Sequence, residues 1–137
     1  MSRKILLWGI GFALLSVILG AFGAHALKSI VPLDKLQIFE TGVRYEFMHA
    51  MALIFLSLYM EQKQTIIGHE NGLKWASLFF LIGIFLFSGS LYGLTISAFL
   101  NPTWISILGP ITPLGGLCFM LGWLSWGRVV FLHKVDK

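Results

Sequence analysis

The feature that most constrains this chain is its long apolar run over residues 5–24, echoed by three further apolar stretches downstream. A helix crossing a bilayer core of about 30 Å needs roughly 20 mostly apolar residues, and it must satisfy its own backbone groups because hydrocarbon offers no partners. The four stretches lie near 5–24, 43–61, 74–97 and 104–132, and each approaches that length. With 57% hydrophobic and only 12% charged residues, the chain cannot clothe an ordinary soluble domain in polar side chains. The pattern predicts an all-α integral membrane protein, with four transmembrane helices in a compact bundle forming one domain over 1–137.

The basic residues then give an orientation. Arg3, Lys4, Lys63, Lys74, Arg128, Lys134 and Lys137 fall on one side of such a bundle, while Lys28, Lys35 and Arg44 fall on the other. Positive residues are retained on the cytoplasmic side, so both termini are expected there. Trp8, Tyr59, Trp75 and Trp126 would mark the inner boundary, with Tyr45 and Trp104 at the outer one. The same scatter argues against nucleic acid, which calls for a basic stripe despite the net charge of +4. Arg3 and Lys4 before an apolar run, with Ala24-His25-Ala26 behind it, also resemble a cleavable leader. The run is too long for a signal h-region and is read as a retained span. Cys118, the single cysteine, excludes an internal disulfide and any multi-cysteine metal site.

Small residues recur where helices would touch. Gly9, Ala13, Ser16, Gly20 and Ala24 are spaced for close approach on the first span, and Gly89 and Gly93 form a GxxxG pair on the third, extended by Ser97. The helix-packing candidates are Gly20, Gly23, Gly89, Gly93, Gly115 and Gly116. Between the first two spans, Pro32 stops a short continuation of the first helix. Leu36, Phe39, Val43 and Phe47 then recur at steps of three and four. This predicts an amphipathic surface helix that bends near Gly42 before entering the second span. The polar 62–71 loop, with Lys63, His69 and Glu70, suggests no chemistry. The segment 109–116, with Pro110 and Pro113, reads as a broken start to the fourth helix.

The candidate functional site is the polar knot His25, Glu40, Arg44, Glu46 and His49. Ionisable groups beside hydrocarbon are costly and usually face a bundle interior or a wet cavity. At 100° per residue, Gln37, Glu40, Thr41 and Arg44 share one face, and Tyr45, Glu46 and His49 another. Glu40 and Arg44 have i,i+4 spacing for a salt bridge, and Glu46 and His49 have i,i+3 spacing for a carboxylate that orients an imidazole. Arg44 and Glu46 are expected at the membrane edge with His49 inside it, and His25 is expected at the depth of His49. Such a group could relay protons or bind an anion; equally, it could cap helix ends and tie the bundle together. Two histidines at one depth also raise a haem site. No Ser-His-Asp order, phosphate loop or HExxH is present, so no enzyme template fits, and no metal or cofactor is expected.

Four motifs carry a resemblance: Gly20-Ala21-Phe22-Gly23-Ala24-His25-Ala26-Leu27, Glu40-Thr41-Gly42-Val43-Arg44-Tyr45-Glu46-Phe47-Met48-His49-Ala50, Ser88-Gly89-Ser90-Leu91-Tyr92 and Ile111-Thr112-Pro113-Leu114-Gly115-Gly116. In this order and over essentially the whole chain, the sequence resembles the YgdD/YwdK-like family of small bacterial inner-membrane proteins, a domain of unknown function. The resemblance implies four transmembrane helices and no catalytic assignment. It emphasises Gly20, Gly23, His25, Glu40, Thr41, Arg44, His49, Ser88, Gly89 and Pro113 to Gly116. It also implies Gln or other polar residues in relatives at the position of Glu46. Three functions follow as expectations: a non-enzymatic protein packing with itself, lipid or a membrane partner; a small transporter or channel gated through His25, Glu46 and His49; and a membrane enzyme or haem protein.

Overall fold

The computed structural model describes residues 2–62, 70–97, 99 and 105–135, and every regular element among them is helical. Expectations for Lys63, His69, Trp104 and Lys137 lie outside the described residues. In chain order the elements are α1 (Ser2–His25), a 3₁₀ turn (Leu27–Ser29), α2 (Leu33–Gln62), α3 (Glu70–Gly83), a π-helical turn (Ile84–Ser88), α4 (Gly89–Ile96) and α5 (Ile105–Val135). Because the π turn joins α3 to α4 without a break, the chain folds as four helical rods among the described residues. Among the described residues, three stretches are long and apolar enough to cross a membrane: Ser2–Ser29, Asn71–Ile96 and Leu108–Leu132. α2 is 30 residues long, but Asp34, Lys35, Glu40, Arg44 and Glu46 dilute its apolar character.

Two antiparallel hairpins build the bundle. At one end of the first, the Ser57 hydroxyl donates to the Ser2 carbonyl at 2.8 Å, and at the other the Phe39 ring lies against Gly23. Between them Gly9 lets α2 come close: a Cβ there would stand 2.8 Å from Ile54 and 3.0 Å from the Ala50 carbonyl. The second hairpin pairs α3 with α5, where Gly72, Gly83 and Gly122 receive Val129, Phe119 and Phe80. The core that joins the hairpins includes Phe12, Leu53, Leu56, Ala76, Phe80, Ile84 and Phe119, all buried. Leu27, Leu36 and Phe39 make a smaller cluster where α1 turns into α2.

Two sequence expectations are corrected. The amphipathic surface helix is not a separate element, because α2 runs unbroken from Leu33 to Gln62 through Gly42. Mid-helix glycine costs about 0.5–1 kcal/mol relative to alanine, but here it seats a neighbour: a Cβ on Gly42 would come within 2.8 Å of the Tyr92 ring. The start of the fourth span is likewise not broken, since α5 includes both Pro110 and Pro113. Each proline removes one i→i−4 bond. Such gaps are tolerated in membrane helices where neighbouring protein or water satisfies the freed carbonyls.

Candidate functional site

The five residues of the polar knot separate into two groups. His25, Glu40 and Arg44 are exposed, whereas Glu46 is 1% and His49 6% exposed. Gly23 faces Phe39, so the end of α1 lies level with that turn of α2. His49 is ten positions further on, about 15 Å along the helix axis at 1.5 Å per residue, so His25 and His49 do not meet. Glu40 and Arg44 form no ion pair despite their spacing. Exposed charges of this kind gain little from pairing, because water already solvates them and two long side chains must be ordered to do it.

Glu46 is held from another helix rather than from its own. The Tyr92 hydroxyl, on α4, donates to Glu46 Oε2 at 2.5 Å. That reach depends on Gly42, which clears the space the Tyr92 ring occupies one helical turn earlier. The neighbouring Ser88, at the end of the π turn, donates its hydroxyl to the Gly42 carbonyl at 2.8 Å. π turns insert an extra residue into a helix and often accompany functional sites. This one lets Ser88 and Tyr92 engage the same stretch of α2. Glu46 Oε1 is buried and has no hydrogen-bond partner. Ser16 of α1 stands near the carboxylate, but its hydroxyl proton is committed to the Phe12 carbonyl at 2.8 Å. Glu46 is therefore buried in the protein interior.

His49 is not oriented by Glu46. Its Nδ1 lies 2.9 Å from the Tyr45 carbonyl and its Nε2 lies 3.3 Å from Trp123 Nε1. A carbonyl only accepts and an indole N–H only donates, so Nδ1 carries the hydrogen and Nε2 accepts. The ring stacks on Phe119 with centroids 3.4 Å apart and planes 6° apart, and Tyr45, Phe80 and Trp123 surround it with centroids at 6.1, 5.6 and 6.2 Å. Three rods thus converge on one imidazole. Sequence spacing could not show this enclosure, because Phe80, Phe119 and Trp123 lie far away in the chain.

A third polar contact closes the far end of α2. Lys35 Nζ reaches the Leu94 carbonyl and the Ser97 hydroxyl, each at 3.4 Å. A lysine at these last carbonyls of α4 also meets the negative end of the helix. The Ser90 and Thr112 hydroxyls join α4 to α5 at 2.7 Å. Among the packing glycines, Gly23 meets Phe39, Gly93 meets Leu108, and Gly115 lies against the Phe87 backbone. Gly20 and Gly116 make ordinary contacts with Val43 and Phe87, and Gly89 has open space around it. No three His, Cys, Asp or Glu residues converge as metal ligands among the described residues.

A profile described as "Protein of unknown function (DUF423)" matches residues 19–116, from the second half of α1 into α5, and so contains Glu46, His49, Ser88 and Tyr92. The chain belongs to the DUF423 family. It is 46% identical over 112 residues to the UPF0382 membrane protein YwdK of Bacillus subtilis, covering 82% of this chain and 83% of that one. It is 33% identical over 122 residues to the UPF0382 inner membrane protein YgdD of Escherichia coli K12, covering 89% and 85%. No solved structure matches the chain. This is a helical membrane protein of an uncharacterised family.

Proposed function

We propose that this protein is a single four-crossing domain of the bacterial cytoplasmic membrane, with both termini cytoplasmic. In this reading it works without catalysis, through packed contacts with lipid, with copies of itself or with a membrane partner. The fourth crossing is α2. It lies antiparallel to α1 from Ser57 to Phe39, a length of about 27 Å at 1.5 Å per residue, close to the bilayer core. The YgdD name places that relative in the inner membrane, and the distribution of basic residues supports the orientation.

The observation that carries the packing reading is how the interior polar groups are spent. His49 accepts from the Trp123 indole of α5, Ser88 donates to the Gly42 carbonyl of α2, and the Ser90 and Thr112 hydroxyls meet between α4 and α5. Polar groups used this way hold helices together. One observation favours a second reading, a small transporter: Glu46 Oε1 has no partner at 1% exposure, and a buried ionisable group in a span is a functional candidate by default. Flux through reconstituted liposomes separates the two. The packing reading expects proton and ion flux equal to that of empty liposomes; a flux abolished by Glu46→Gln would replace it with transport. Reporter fusions at both ends test the topology, and a terminus found outside would contradict it.

A further inference from the structure

At one end of the bundle a groove of about 410 Å³ opens between the start of α3 and the end of α5. Trp75 and Phe79 line it from α3, and Val129 and Leu132 from α5, with Ser125 and Arg128 among these apolar walls. We propose that this groove binds one phospholipid with an anionic headgroup, its phosphate held by Arg128 and an acyl chain lying along Trp75, Phe79 and Leu132.

Three physical arguments select that occupant. Arg128 is an exposed guanidinium set in a mostly apolar groove, and its planar fork matches phosphate oxygens two at a time. Trp75 is 55% exposed beside it, and indoles in spanning helices favour the headgroup level. The surrounding charge is complementary as well: among the described side chains this end of the bundle carries Arg3, Lys4, Lys74 and Arg128 against Glu61. Basic pockets between spanning helices recognise anionic headgroups, and attraction to anionic lipid grows by about fivefold per basic residue near the surface.

The inference rests on the membrane placement of the chain and not on the number of crossings, so a failed topology test leaves it standing. The full chain, purified in detergent, is mixed with phosphatidylglycerol, phosphatidylcholine or inorganic phosphate and read by native mass spectrometry and thermal shift. Wild type is expected to retain one phosphatidylglycerol about fivefold better than phosphatidylcholine, and phosphate alone is expected to give no shift. Arg128→Gln should erase the preference, Arg128→Lys should keep part of it, and Lys4→Gln should leave it intact. Equal retention of the two lipids, a preference that survives Arg128→Gln, or one lost equally in Lys4→Gln would overturn the site. So would a response to free phosphate matching that to the lipid.

Discussion

Two turns of α2 carry similar residues and meet opposite fates. Glu40 and Arg44 stand exposed and unpaired on the surface of the helix, while Glu46 and His49, fewer than three turns on, are buried and gripped by other helices. The 3.6-residue repeat accounts for the difference, because it swings the second group toward α4 and α5. The contrast teaches that in this fold an ionisable residue matters through what reaches it from elsewhere in the chain, not through its neighbour in sequence.

The largest expected difference between the two turns is at His49. His49→Ala removes a ring stacked among four aromatics and strands the Trp123 N–H. It should lower unfolding stability by about 3 kcal/mol, measured by thermal or denaturant unfolding in detergent. Tyr92→Phe comes next. It leaves both Glu46 oxygens without a donor, so a loss of about 2 kcal/mol is expected. The same change in a Glu46→Leu background should cost much less, and additive losses would show that the two side chains act separately. Ser88→Ala should cost about 0.6 kcal/mol, the scale of one interhelical hydrogen bond in a membrane. Glu40→Ala and Arg44→Ala should each stay within about 0.5 kcal/mol. An Arg44→Ala loss as large as that of His49→Ala would abolish the distinction between the two turns.

Much of the fold was legible in the sequence because apolar length is a local signal. The spans read at 5–24, 74–97 and 104–132 fall on α1, on the α3–α4 rod and on α5. The sequence divides α2 into a surface helix and a span at 43–61, because its first ten residues are amphipathic and Gly42 resembles a hinge, whereas the helix is continuous. What makes Gly42 helical is Tyr92, a contact no local pattern reveals. The two faces of α2 were correctly separated by periodicity, yet the partners were not. Glu46 and His49 have the spacing to bond each other, but Tyr92 takes one and Tyr45 with Trp123 takes the other. Glycine spacing was similarly ambiguous: Gly89 and Gly93 look alike in sequence, but only Gly93 meets a neighbour within the chain. The π turn at Ile84–Ser88 left no sequence signal of its own.

The central claim is that the polar interior is tied to the protein itself, and the hydrogen on His49 reports it most directly. Nitrogen NMR of histidine-labelled protein in liposomes, with His49→Phe used to assign the signals, should show His49 with hydrogen on Nδ1 and an unprotonated, hydrogen-bonded Nε2. A ring bearing hydrogen on Nε2, or exchanging freely between the two forms, would contradict the enclosed interior.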